Sequence, residues 1–201
     1  AGAFEDCYNL KKVVLPDSIV NIEGNAFTAS GITSIAIPAS VTKIDIEVFI
    51  FCSDLKEVYL LDSITHIEMG AFSYCRNLEK INIPKSVKKI DRYAFLYCEN
   101  LREVAFADDF NATIEHSAFS HTALLKEKRK QNPLVIGGKV VLDGKECTGD
   151  VIIPDGVMSI ADNSFSYSKI TSVYIPDSVI SIVDSAFSNC EQLAIVRMGS
   201  S

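Results

Sequence analysis

The sequence predicts an α/β repeat solenoid, a series of similar coils that each add a short strand and a turn to one shared core. Three observations carry that expectation. Phenylalanine recurs at Phe4, Phe27, Phe49, Phe72, Phe95, Phe119, Phe165 and Phe187, at spacings of 23, 22, 23, 23, 24, 46 and 22 residues. A small or β-branched residue precedes each one: Ala3, Ala26, Val48, Ala71, Ala94, Ala118, Ser164 and Ala186. A short alternating apolar stretch, often closed by Pro, follows in most copies. Self-similarity at a fixed period in the twenties is the signature of stacked units. The spacing of 46 equals two periods, so an irregular unit lies between Phe119 and Phe165.

One clean copy, residues 71–90, shows the parts in order. Leu78 to Ile83 alternates apolar and polar, a strand pattern with Ile81 and Ile83 facing inward. Its counterparts are Leu10–Leu15, Ile32–Ile37, Leu55–Leu60, Leu101–Phe106, Ile170–Ile175 and Leu193–Met198. Pro16, Pro38, Pro84, Pro154 and Pro176 close strands, because proline cannot donate to a ladder and presets a turn. A second apolar pair (Val87 and Ile90, Val41 and Ile44, Val179 and Ile182) marks an extended stretch on the opposite face. The segment around Ala-Phe lacks β-branched alternation and reads as a short helical turn whose Phe plugs the interior. No single copy is apolar enough to stand alone; stacked copies share a core.

Composition narrows the function classes. At 48% hydrophobic over 201 residues, the chain has material for a continuous core. A net charge of −7 argues against a phosphate backbone as partner, so no nucleic acid is expected. No apolar run approaches the ~18 residues of a membrane span, so no membrane insertion is expected in this segment. The chain starts inside a repeat, at Ala3-Phe4, and reads as a fragment of a longer protein: a single solenoid domain, 1–201, with an irregular unit at 123–147.

The pattern Leu-x-x-Ile-x-Ile-Pro-x-Ser-Val-x-x-Ile-x-x-x-Ala-Phe-x-x-Cys resembles the BspA-like leucine-rich-repeat family. The resemblance implies a curved right-handed superhelix with a parallel sheet on its concave face, and short strands and helical turns elsewhere. It also implies an extracellular or cell-surface location, in bacteria or some protozoa, and adhesion to a host or neighbouring-cell protein or glycan. The departures matter too. Leu134 to Leu142 reads as two strands around Gly137-Gly138, a β-hairpin insertion. That unit is either a structural spacer or a ligand-contacting protrusion. Lys126-Glu127-Lys128-Arg129-Lys130 reads as a solvated loop. The copy at Phe95 lacks its Pro and carries Ala107-Asp108-Asp109-Phe110 instead.

Catalysis finds little support. Cys7, Cys52, Cys75, Cys98 and Cys190 all lie three residues after the repeat Phe, where other copies carry Ser30, Thr122 and Ser168. A slot taking Cys, Ser or Thr is a small buried site for reduced thiols. Stacked neighbours would stand ~5 Å apart, yet parallel inward side chains rarely offer the disulfide torsion. Cys147 alone falls outside the series, where an exposed or unpaired thiol is expected. His66, His116 and His121 form no metal or dyad motif, and Asp108-Asp109 has no partner at a converging spacing. Asp17, Asp155 and Asp177 follow Pro as turn formers and suggest no Ca²⁺ site. No enzyme, no cofactor and no metal is expected.

Recognition fits better. The residues between the inward apolar ones form outward columns: Lys12 and Val14, Ser34 and Ala36, Glu57 and Tyr59, Lys80 and Asn82, Glu103 and Ala105, Asp150 and Ile152, Ser172 and Tyr174, Ile195 and Arg197. These positions vary while the inward ones repeat, as a recognition surface on a rigid frame requires. Glu57, Tyr59, Lys80, Asn82, Glu103 and Tyr174 are the candidate binding residues, with the two tyrosines as anchors. The expected partner is a protein or glycan; the alternative is a structural spacer whose columns are inert. Exposed solenoid ends imply a monomer or weak self-association.

Overall fold

The computed structural model describes residues 2–107, 110, 112–115 and 117–199. It comprises two compact units, Ala1–Lys126 and Glu127–Ser201, and each is a β-solenoid.

In the first unit each coil gives two short strands. These are β1 (Ser34–Ala36) and β2 (Lys43–Ile44), β3 (Glu57–Tyr59) and β4 (His66–Ile67), β5 (Lys80–Ile83) and β6 (Lys89–Ile90), β7 (Glu103–Phe106) and β8 (Thr113–Ile114). The second strands join in one parallel sheet, β2-β4-β6-β8, while the first strands form two parallel pairs, β1-β3 and β5-β7. The turns between them are closed by bonds onto proline carbonyls, as Val41 N to Pro38 O (3.0 Å) and Val87 N to Pro84 O (3.2 Å). The expected strand at Leu10–Leu15 is reduced to one bridge, Lys12 with Ser34.

Inside, the repeat phenylalanines form a stacked column. Ring centroids from Phe27 through Phe49, Phe72 and Phe95 to Phe119 are 5.5, 5.3, 5.2 and 5.0 Å apart. Phe110 packs on Phe106 at 4.7 Å, filling the core where the Phe95 copy lacks its Pro; Asp108, Asp109 and His116 lie outside the described residues.

The Ala-Phe segments are turns rather than the helical turns expected. In every copy the residues two before and two after the Phe have positive φ, as at Glu47 (54°) and Phe51 (61°) around Phe49. Two left-handed residues stop a helix from propagating. The backbone is satisfied differently. Thr28 N bonds back to Asn25 O within its own turn, while Asn25, Phe27 and Ala29 donate to Ile46, Val48 and Ile50 of the next coil. Alternation between local and inter-coil bonds leaves no N–H of this stretch unpaired.

Helix α1 (Ala123–Gln131) occupies the segment that the sequence suggests as a solvated loop. Its basic last turn, Lys128 to Lys130, complements the helix C-terminus, and Leu124 and Leu125 are buried. Charge along the run masks this apolar anchor, which precedes it.

The second unit continues with β9 (Val135–Gly137) and β10 (Val140–Asp143), the expected antiparallel hairpin. Then come β11 (Thr148–Ile152), β12 (Ser159–Ile160), β13 (Lys169–Ile175), β14 (Ser181–Ile182) and β15 (Ile195–Met198). The hairpin is built into a sheet, β14-β12-β10-β9, with β10 and β12 parallel. The other sheet is β11-β13-β15, all parallel. Phe165 stacks on Phe187 at 4.8 Å in this unit's core.

Candidate recognition surface

The strand registers place the outward residues in the columns that the alternation implies. In the first unit Ser34 pairs with Glu57 and Ala36 with Tyr59, then Lys80 with Glu103 and Asn82 with Ala105. Between them Ile35, Val58 and Ile81 are buried, which fixes their neighbours outward.

The first-strand sheet is split between β3 and β5. Across β1 and β3 the ladder continues past the strand, with Ile37 N on Tyr59 O at 3.1 Å. At the next junction a side chain takes over: Asn82 Nδ2 donates to Leu60 O at 3.1 Å. At this split lies a shallow depression of about 160 Å³, and Glu57, Tyr59, Lys80, Asn82 and Glu103 line it with Val58, Ile81 and Ala105. Tyr59 is 54% exposed, and its phenol donates to Glu57 Oε2 at 2.5 Å. That bond holds the Tyr59 proton, raising the phenol above its usual value. The Glu57–Lys80–Glu103 charges alternate along the column, so the surface suits a ligand with mixed polar groups rather than a polyion.

The chain matches the model of the BspA type leucine-rich repeat region in six copies, over residues 1–102 and 65–194. The chain belongs to this family. Among solved structures, it is similar to a leucine-rich repeat protein from Bacteroides ovatus, at 29% identity and a TM-score of 0.64, covering 98% of this chain and 45% of that one. It is also similar to a leucine rich cell surface protein from Faecalibacterium prausnitzii, at 27% identity and a TM-score of 0.44, covering 100% of this chain and 56% of that one. The chain thus spans about half the length of these structures. Among curated proteins none matches.

Of the six candidate binding residues, the structure brings five of this repeat chain together. Tyr174 lies in the column of the second unit, between Ile152 and Arg197 on neighbouring strands. Beside it Asp150 accepts from Ser172 Oγ (2.6 Å) and Thr171 Oγ1 (3.2 Å), and these bonds hold its carboxyl below the usual range.

The cysteine slot of this repeat has a polar purpose that the small-hydrophobe reading misses. Cys52, Cys75 and Cys98 donate Sγ–H to the Phe carbonyl of the preceding coil, Phe27, Phe49 and Phe72, at 3.0, 3.1 and 3.1 Å. Thr122 supplies the same kind of bond within its own coil, to Phe119 O at 2.7 Å. The serines of the slot find a different partner, the thiol of the following coil: Ser30 lies 3.4 Å from Cys52 Sγ and Ser168 3.3 Å from Cys190 Sγ. Burial pushes the Cys52 thiol up to about 11 and also raises Cys75 and Cys98 well above the usual thiol value. Cys7 differs from the expected buried thiols in being exposed. Cys147 is unpaired as expected but buried rather than exposed, and burial raises it to about 11. A thiol held neutral is a poor nucleophile.

Two features lie outside the sequence-based candidates. Arg129 of α1 donates to Asp143 of β10 at 2.6 Å, with the Asp143 side chain only 2% exposed. On the turn edge of the first unit, Phe51, Tyr74, Tyr97 and His121 form a surface stack with centroids 4.8, 4.9 and 4.3 Å apart. Its signal was readable: an aromatic ring two residues after the repeat Phe. Among the described residues no group of three His, Cys, Asp or Glu could hold a metal ion, and no helix is long and apolar enough to cross a membrane.

Proposed function

We propose that this chain is a non-catalytic binding module that works at a cell surface or outside the cell, adhering to a host or neighbouring-cell protein or glycan through the outer face of its repeat sheet. The observation that carries this reading is the depression at the β3–β5 split, where the outward residues Glu57, Tyr59, Lys80, Asn82 and Glu103 meet. Inward positions answer to packing; these do not, so their side chains are available for recognition. Tyr59 offers a rigid, half-exposed ring in a depression with three charged side chains and an amide, the composition of a binding anchor. Membership of a repeat family whose members act by binding supports the class of activity.

The test is a screen of the purified chain against a panel of extracellular-matrix proteins and a glycan array, beside a Tyr59→Ala/Tyr174→Ala double variant. Saturable binding that the variant loses is expected. Binding that the variant retains would move recognition off the sheet, and a chain inert to every probe would favour a spacer role.

A further inference from the structure

The first and last coils of the 201-residue chain present unfinished copies of the same contact. Phe4 stacks on Phe27 at 5.1 Å and Phe187 on Phe165 at 4.8 Å, and among the described residues neither ring is stacked on its other face. Beside Phe4 an apolar hollow of about 300 Å³ opens, lined with Leu15, Ile19, Ile22 and Phe27. In the last coil Val196 and Met198 are 53% and 61% exposed, although their strand partners Val173 and Ile175 are buried.

The polar groups show what each face lacks, because the bonds between coils have a direction. In the turns the earlier coil donates to the later one, as Phe27 N to Val48 O (2.9 Å) and Ala29 N to Ile50 O (2.8 Å). Before each strand the later coil donates back, as Ala194 N to Thr171 O (2.9 Å). The slot thiol also donates back, as Cys190 Sγ to Phe165 O (3.1 Å). The last coil therefore keeps Phe187 N and Asn189 N as donors with no acceptor among the described residues. The first coil keeps Ala3 O and Glu5 O as the corresponding acceptors with no donor. Cys7 is exposed, and its thiol has no Phe carbonyl of an earlier coil to reach.

We infer that the last coil of one copy of this chain docks on the first coil of a second copy, so that the repeat runs on across the contact. Continuing the observed register sets Phe4 on Phe187, Val13 against Val196 and Leu15 against Met198. It also brings Ala3 O and Glu5 O to Phe187 N and Asn189 N, and Cys7 to Phe187 O. Along the outward column Lys12 falls beside Ile195 and Val14 beside Arg197, so no like charges meet. A partner offering only an apolar surface would leave the turn N–H and C=O groups buried and unpaired. A coil of the same pattern satisfies them and covers the apolar residues together. The contact joins two different faces, so every assembled pair keeps one free face at each end. It lies apart from the β3–β5 depression and does not rest on the role of that surface.

The test is sedimentation equilibrium of the purified chain over a wide concentration range, with a phosphine reductant present. Phe4→Asp blocks the first coil, Val196→Asp blocks the last, and Leu61→Lys changes an exposed apolar residue in neither. The wild type and Leu61→Lys should gain mass with concentration. Each blocked variant alone should stay at 22.0 kDa. Mixed in equal amounts, the two should form a dimer of about twice that mass and nothing larger, because only one intact pair of faces remains. Should a blocked variant lose its fold by circular dichroism, wild-type Cys7 decides: its maleimide alkylation, followed by peptide mass, should slow severalfold as protein concentration rises. A wild type that stays monomeric, or a Cys7 rate independent of concentration, overturns the inference. So does a folded blocked variant that still associates alone, a mixture of folded variants that stays monomeric, or loss of association in Leu61→Lys.

Discussion

Raising the pH should destabilise this protein through its cysteines. Cys52, Cys75 and Cys98 are buried, each thiol proton is committed to a carbonyl, and burial keeps each one neutral well above the usual thiol value. Released by unfolding, they ionise near a pKa of about 8.5. The folded state then binds more protons than the unfolded one, so stability falls as pH rises. The contribution is complete below about pH 8 and is lost toward the folded values. Between about pH 7.5 and 9.5 linkage gives about 1.4 kcal/mol per thiol, or about 4 kcal/mol for three. That is a large share of a typical total of about 5–15 kcal/mol. The assay is urea unfolding by circular dichroism at both pH values, with a phosphine reductant present. The Cys52→Ser/Cys75→Ser/Cys98→Ser variant provides the control, since Ser30 and Ser168 already fill this slot elsewhere. It should lose most of the pH dependence. A wild type equally stable at both pH values, or a serine variant with the same slope, would refute the reasoning.

Other consequences follow from packing. Phe72→Ala removes a fully buried ring stacked on both sides and should cost about 3–5 kcal/mol in urea unfolding; Tyr59→Ala on the open sheet face should cost below about 1 kcal/mol. Arg129→Ala leaves the Asp143 carboxylate buried without its cation, and should destabilise the protein by about 3–5 kcal/mol. The paired apolar change Arg129→Met/Asp143→Leu should recover much of that loss in the same assay, because it removes both charges together.

The elements legible in the sequence are those that depend on period and alternation. Inward Ile81 and outward Lys80 fall where a two-residue period places them, and the hairpin of Val135–Gly137 and Val140–Asp143 follows from its Gly-Gly turn. What escapes is conformation set by neighbours. The Ala-Phe turn is not helical because its bonds run to the next coil, information absent from any one repeat. Helix α1 hides behind its charges because Leu124 and Leu125, its buried anchors, look like the end of the previous coil. The candidate site was legible as columns, but the split between β3 and β5, bridged by a side-chain bond from Asn82 where strand pairing stops, is visible only in the assembled sheet. The aromatic edge of Phe51, Tyr74, Tyr97 and His121 was written in plain spacing, each residue lying two after a repeat Phe.

The most direct test of recognition by the sheet is charge reversal within it. Glu57→Lys and Lys80→Glu would be compared with Lys85→Glu, an exposed lysine after the strand, for affinity to whichever matrix protein or glycan binds the wild type best. A loss of about tenfold or more for both column variants, with Lys85→Glu unchanged, is the expected result. Unchanged affinity for all three would contradict a binding role for this face.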